Sequence, residues 1–449
     1  MKLDTTTIIS TVNAIYGQTF ACKCGRTHRI DPQGVIYAPD ALAQLPDVAV
    51  QWTPAPGRRA VVLMDVRTRA VGGAAAAAAL RERDWQVTEI VVPDSAAGGP
   101  VCDDRTHDWL LPQMESADIV VPVGSGVLSD LGKWTAFDLD VPYVSFGTAA
   151  SMNGYASANV AATVKGVKTL LRGRAPRVVL ADPAVIRDAP YEMTAAGLGD
   201  ILAKSVSSAD WRLNHVLFGD YFCDRSVSLI AEIEPLYFDH PEDVRQRKPA
   251  ALEALFHGLL LTGVAMTMAE TSAPASGGEH LISHTLDMMS ALDGQPHDLH
   301  GRQVGVGTVL TSELYRRILA LESPDFSHAE RSIAVDRAFW GRMGDEVASH
   351  YAQKVARIRQ AAATLSRGDT WDRVREDIQP YLRPPARIRG CLEQAGAAFR
   401  AEQIGCSRER LLTACHHAHE IRSRFTVIDL ARLLGLLPQA AEEIVEAWA

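Results

Sequence analysis

ADIVVPVGSGVLSDLGKW, residues 117–134, decides the fold. An apolar, β-branched run too short for a helix enters Gly124-Ser125-Gly126, and helical spacing follows at once. Outward from it the same alternation recurs. RAVVLMD (59–65), WQVTEIVV (85–92), VPYVSF (141–146) and PRVVLAD (176–182) read as strands. An alanine-rich stretch reaching Arg83, HDWLLPQMES and LSDLGKWTAF read as the helices between them. Strands alternating with helices predict a largely parallel sheet, with its ligand at the C-terminal strand edges.

After Pro183 strand-like alternation nearly stops. Helical spacing dominates around 192–214, 247–270, 308–322, 329–365 and 408–447, and SAPASGG (272–278) and Pro384-Pro385 interrupt it. The expected fold class is α/β plus all-α: a nucleotide-binding α/β domain over residues 1–187, then an all-helical domain over 188–449.

With 47% hydrophobic and 22% charged residues, the 449-residue chain can bury a sizeable core. A net charge of -9 offers no global basic field for nucleic acid. The seven cysteines, Cys22, Cys24, Cys102, Cys223, Cys391, Cys406 and Cys415, are odd in number and scattered, which suits a reducing compartment. Cys22-x-Cys24 is tighter than the usual zinc knuckle and lacks a second CxxC, so it is expected to be structural. The N-terminus lacks the long apolar core of a signal peptide, and the most apolar segment, 259–269, is shorter than the roughly 20 residues of a membrane span. A cytoplasmic protein without a membrane span is expected.

Two turns carry a nucleotide signal. Gly124 and Gly126 would let backbone approach a phosphate, and the helix beyond them offers N–H groups and a positive dipole end. Ser129 stands where a third glycine would complete GxGxxG, so backbone geometry alone also accounts for the glycines. Gly147-Thr148-Ala149-Ala150-Ser151 follows the next strand and could embrace the same pyrophosphate. Asp65 would accept hydrogen bonds from a ribose, or simply cap a helix.

Three later segments carry a metal signal. Asp200 lies in AAGLGDILAKS with Lys204 one helical turn on, His280 and His284 share a helix face in SGGEHLISH, and His300 opens HGRQVGVG. One carboxylate with two imidazoles suits zinc, nickel or iron(II), with positions left for a substrate oxygen. Taken singly, a helical Asp is usually a surface or capping residue and a His pair usually packing. In the rival cluster CHHAHE (415–420), His416, His417 and Glu420 do not share one face.

Together these segments resemble the iron-containing alcohol dehydrogenase and dehydroquinate synthase superfamily, and within it the sn-glycerol-1-phosphate dehydrogenases. GSGVLSDLGK (124–133), TAASMNGYAS (148–157), AGLGDILAKSVSSADW (196–211), SGGEHLISHTLDM (276–288), HGRQVGVG (300–307) and RSRFTVIDLARLLGLL (422–437) carry the likeness over nearly the whole chain. It implies a Rossmann-like N-terminal domain and a helical C-terminal one. NAD(H) or NADP(H) would lie over Gly126, Val127, Leu128, Ser129 and Asp130, with Gly124, Ser125, Thr148, Ala149, Ala150, Ser151 and Ser157 completing the site. Asp200, His280 and His300 would hold one divalent metal, zinc or nickel before iron, and Asn153 and His284 would touch substrate. The implied reaction is reversible reduction of dihydroxyacetone phosphate to sn-glycerol 1-phosphate. Lys204 would help neutralise the substrate phosphate, an inference from charge and spacing. A homodimer or larger homo-oligomer is implied by the likeness.

The pattern breaks in two places. Asn153 replaces an Asp, losing a charge and gaining a donor, and Ala150 replaces a Pro. Extra helical sequence is also expected between about 320 and 410. A dehydrogenase of another polyol or phosphorylated ketone, a dehydroquinate synthase-like cyclase and a non-catalytic nucleotide-binding relative are the alternatives.

Overall fold

The computed structural model describes residues 5–96, 98–326 and 334–448. Its strands are β1 (Thr19–Ala21), β2 (Thr27–Arg29), β3 (Gly34–Tyr37), β4 (Arg59–Met64), β5 (Gln86–Val91), β6 (Ile119–Gly124), β7 (Ser145–Gly147), β8 (Asn159–Val164), β9 (Val167–Arg172) and β10 (Val178–Ala181). Six of them form one sheet in the order β3-β10-β7-β6-β4-β5. Every pairing in that sheet is parallel, as the strand–helix alternation predicts.

Both faces of the sheet are covered, which is why its strands read as continuous apolar runs. Successive side chains of a strand point to opposite faces. Val62 and Met64 of β4 accordingly join one core with Leu45, Ala76, Ala77 and Leu80. Val61 and Leu63 join the other, with Leu110, Met114, Leu128 and Leu131. Each Val, Leu or Met among them contributes roughly 1.5–3 kcal/mol relative to exposure.

The sheet exceeds the sequence reading at β3, a four-residue edge strand, and at the antiparallel hairpin β8–β9. Lys165 and Gly166 link β8 to β9 with positive φ at both residues, the conformation a two-residue hairpin turn needs. VPYVSF shrinks to β7.

The chain divides into two compact units. The first holds the chain through Gly197 together with Arg225–Thr271, and the second holds Leu198–Asp224 with Ser272 onward. Residues 225–271, helical like the later half, group with the sheet unit. Their main helix, Pro249–Ala269, is long and apolar enough to cross a membrane, but 89% of its most apolar window is buried. It is a core helix longer than the apolar run 259–269 suggests. The second unit contains no strand among its described residues. The stretch 192–214 resolves into Tyr191–Leu202 and Lys204–Phe218, and His300–Leu319 begins well before residue 308. Gly344–Leu365 carries most of the 329–365 expectation, of which 329–333 lies outside the described residues.

Candidate active site

At the C-terminal edge of the sheet, β4, β6 and β7 are neighbours. Asp65, Ser125 and Thr148 directly follow them, so the two turns singled out in the sequence and Asp65 share one edge. The Thr148 amide donates to the Gly124 carbonyl at 3.2 Å, and the Tyr155 hydroxyl donates to the Ala149 carbonyl at 2.9 Å. The helix Gly126–Asp138 starts at Ser125, whose side chain makes no capping bond. Its first-turn amides thus take no cap from that side chain, and amides at such a helix start can receive an anion.

A Cβ on Gly124 would come within 2.4 Å of Leu128, so the strand can turn into its helix only with glycine there. A Cβ on Gly132 would reach 2.8 Å from Pro122. Gly132, rather than position 129, thus provides the close helix–strand packing that the third glycine of a dinucleotide fingerprint provides.

Other members of the expected cofactor set are engaged inside the protein. Leu128 lies in the apolar core and Ser129 is buried. Asp130 and Ser157 meet at Lys133, a fully buried lysine that the sequence reading passed over. Its ammonium has three donors for Asp130 at 2.9 Å and the carbonyls of Gly154 and Asn159 at 2.8 Å each, and the Ser157 hydroxyl lies 3.2 Å away. The second oxygen of Asp130 accepts from the Ala161 amide at 2.9 Å. Lys133 follows Gly132 in the quoted GSGVLSDLGK, but a helical lysine looks the same whether buried or solvated.

Asp65 caps Val66–Thr68, accepting from the Thr68 amide at 2.7 Å while its own amide donates to the Thr68 hydroxyl at 2.9 Å. Arg67 donates to Asp65 at 2.8 Å and to Asp94 at 2.5 Å. Those hydrogen bonds raise the arginine's pKa further, so it is a fixed cation already shared by two carboxylates. Ala150, Ser151 and Asn153 line the following loop. A Cβ on Gly197 would lie 1.9 Å from the Ala150 carbonyl oxygen, which fixes how near that loop the helix Tyr191–Leu202 runs.

Asp200, His280 and His300 all belong to the second unit, and their ligand atoms lie within 4.8 Å of one another. Asp200 is 1% exposed and His280 4%. Nε2 of His280 faces an Asp200 oxygen at 3.3 Å, and its Nδ1 faces Glu279 at 2.9 Å. Burial lowers the basicity of His280, but Asp200 and Glu279 outweigh it and raise the pKa to about 9. Two buried carboxylates on one imidazole make a place that favours a cation. The backing carboxylate on the far nitrogen is the arrangement that orients histidine ligands of metals.

His300 is held similarly. Its Nδ1 is 3.1 Å from the Ser283 hydroxyl, which also hydrogen-bonds the Gln303 amide at 2.8 Å. His284 lies beside the group, its ring centroid 5.3 Å from that of His300 and 6.0 Å from that of His280. His284, Asp287 and His300 form a second ligand-like group sharing His300. Lys204 opens the helix after Asp200 and is 5% exposed.

Glu279 was in view in SGGEHLISH, but only the fold shows that it backs His280. It also accepts from the Gly277 amide at 2.7 Å. Nearby Asp210 is buried and accepts from Tyr315, Gly278 and Val427, while burial and Glu279 push its pKa up to about 8. The rival cluster is a packing knot. His417 stacks on Phe339 at 3.7 Å, and Glu420 accepts from the Trp340 indole at 2.5 Å.

A family model described as iron-containing alcohol dehydrogenase matches residues 36–190. Glycerol-1-phosphate dehydrogenase (NAD(P)+) of Thermococcus kodakarensis is 34% identical over 386 residues, covering 86% of this chain and 88% of that one. The enzyme of the same name from Bacillus subtilis is 28% identical over 368 residues, covering 82% and 83%. The crystal structure of glycerol dehydrogenase from Schizosaccharomyces pombe matches with a TM-score of 0.58 at 15% identity, over 92% of this chain and 91% of that one, a likeness of fold. With a third of the aligned residues identical across most of both chains, the protein belongs to the glycerol-1-phosphate dehydrogenase family of iron-containing alcohol dehydrogenases and is an NAD(P)-dependent oxidoreductase.

Proposed function

We propose that the protein interconverts dihydroxyacetone phosphate and sn-glycerol 1-phosphate with NAD(H) or NADP(H), using zinc or nickel held by Asp200, His280 and His300. The observation that carries this reading is the convergence of those three side chains, backed by Glu279 and Ser283, in a member of this family. A carboxylate and two neutral imidazoles fit a divalent ion of intermediate softness. Such an ion supplies Lewis acidity to the C2 oxygen, on which negative charge grows as the ketone is reduced.

The remaining roles fall to the chain's own groups. Glu279 fixes the proton of His280 on Nδ1, leaving Nε2 toward Asp200. His284, beside His300, orients the substrate or moves the proton that ends on the alcohol oxygen. Buried Lys204 supplies positive charge for the substrate phosphate. Asn153 offers an acceptor and a donor where the family pattern has a carboxylate. The turns at 124–127 and 148–151 hold the nucleotide, and Asp65, Asp130 and Ser157, engaged with Thr68 and Lys133, shape the backbone around them. The protein is read as a cytoplasmic homo-oligomer.

NADH and NADPH oxidation would be followed on metal-stripped protein reloaded with zinc, nickel or iron, with dihydroxyacetone phosphate or dihydroxyacetone as substrate. Metal-dependent turnover of the phosphorylated ketone alone, lost in Asp200→Ala, is expected. Turnover of another polyol instead would assign Asn153 to a changed substrate. Activity unaffected by Asp200→Ala would sink the metal mechanism.

A further inference from the structure

The hairpin β1–β2 closes around CKCGRTH, residues 22–28. Its strands are three residues each, and an isolated two-stranded hairpin is marginal in water even when longer. Ala21 pairs with Thr27. Inside that pair the Cys22 amide donates to the Arg26 carbonyl at 2.9 Å and the Gly25 amide to the Cys22 carbonyl at 3.0 Å. Gly25 has φ +86, a left-handed conformation that favours glycine.

This tight turn gathers Cys22, Cys24 and His28, whose ligand atoms lie within 4.8 Å of one another. Sγ of Cys24 is 3.2 Å from Nε2 of His28. In a tetrahedral zinc site, with Zn–S about 2.3 Å and Zn–N about 2.0 Å, a sulfur and a nitrogen ligand stand about 3.5 Å apart. His28 is buried and its ring lies 5.7 Å from that of Phe20, so Nε2 is held in place toward the sulfurs. The C-x-C spacing, too tight for a knuckle by itself, gains its third ligand from the returning strand.

We propose that Cys22, Cys24 and His28 bind a structural zinc ion that pins the N-terminal hairpin, in addition to the ion at Asp200, His280 and His300. Zinc binding displaces the two thiol protons to solvent, and no redox change is involved.

Cobalt substitution of the full-length protein separates the two sites. A thiolate-to-cobalt charge-transfer band can arise only from the cysteine site, because Asp200, His280 and His300 contain no sulfur. The band is expected in wild type and in His280→Ala and absent in Cys22→Ser/Cys24→Ser, which should also lose one equivalent of zinc. Absence of the band in wild type, or unchanged zinc content in the double variant, would overturn the proposal. Should the double variant not fold, alkylation of wild type decides. Cys22 and Cys24 are expected to be protected with zinc and labelled after chelation, and equal labelling in both states would refute the site. Dehydrogenase turnover plays no part in these readouts, so the proposed reaction and this site stand or fall separately.

Discussion

Lys133, wholly buried, has four oxygen atoms of Asp130, Gly154, Ser157 and Asn159 within hydrogen-bond distance of its three donors, and so ties the helix Gly126–Asp138 to the 154–159 loop. Lys133→Met would strand the Asp130 carboxylate in the interior, and breaking a buried pair in this way costs about 3–5 kcal/mol. A urea-denaturation midpoint within error of wild type would show that the network is dispensable. His257 sets a pH dependence at the same scale. It is buried against Tyr16 and Tyr37, and burial pushes its pKa down from 6.5 to about 4. Between those values the unfolded chain binds a proton that the folded chain refuses. Its contribution is therefore intact above about pH 6.5 and lost as pH falls toward 4, by up to about 3 kcal/mol. His257→Gln should flatten that part of the stability–pH curve, and an unchanged curve would assign the acid sensitivity elsewhere. Asp200, His280 and His300 could be singled out in the sequence as a candidate ligand set because an Asp and histidines in such segments are uncommon together, and the fold brings them within 4.8 Å of one another. Lys133 and Glu279 were not, since a lysine or glutamate in a helix declares its partners only through packing.

At the scale of elements, the helix Tyr191–Leu202 shows packing overriding propensity. Alanine is about 1 kcal/mol better than glycine in a helix interior. Yet a Cβ on Gly199 would lie 2.2 Å from the Gly301 carbonyl oxygen and 3.2 Å from the Cα of Gly305. Gly199 neighbours Asp200, and Gly301 neighbours His300. Gly199→Ala should thus move two of the proposed ligands, Asp200 and His300, apart, destabilising the protein by about 1–3 kcal/mol and weakening any metal binding there. Calorimetry and metal competition would check it, and a stabilised variant of normal metal affinity would show that the helices can part freely. The strands of the sheet were readable from apolar runs because both faces are buried. β3 was not, since four half-buried residues at an edge carry little periodicity. The hairpin β8–β9 had its signal in Lys165-Gly166, a two-residue turn between β-branched runs that the helix-centred reading passed over.

At the scale of the whole molecule, helical spacing shows that a segment is a helix but not which core it joins, so residues 225–271 could not be placed by sequence. Under the proposed ligand set, the same division would make the metal's effect on stability local. Asp200, His280 and His300 come from two separated stretches of chain, 198–224 and 272 onward, that together form the second unit. An ion bound only by the folded state stabilises what it cross-links by RT ln(1 + [L]/Kd), about 2.7 kcal/mol at a hundredfold excess over Kd. Local openings draw on that energy only where they release a ligand. Chelation should accordingly speed amide exchange in Gly278–Asp293, in His300–Leu319 and around Asp200. Exchange in β4 and β6, buried in the other unit, should keep its rate wherever opening is sub-global. Equal acceleration in the sheet would mean that the two units open as one, with the metal acting on global unfolding. Unchanged exchange in both helices would mean that the three side chains hold their geometry without an ion, and that metal serves the chemistry alone.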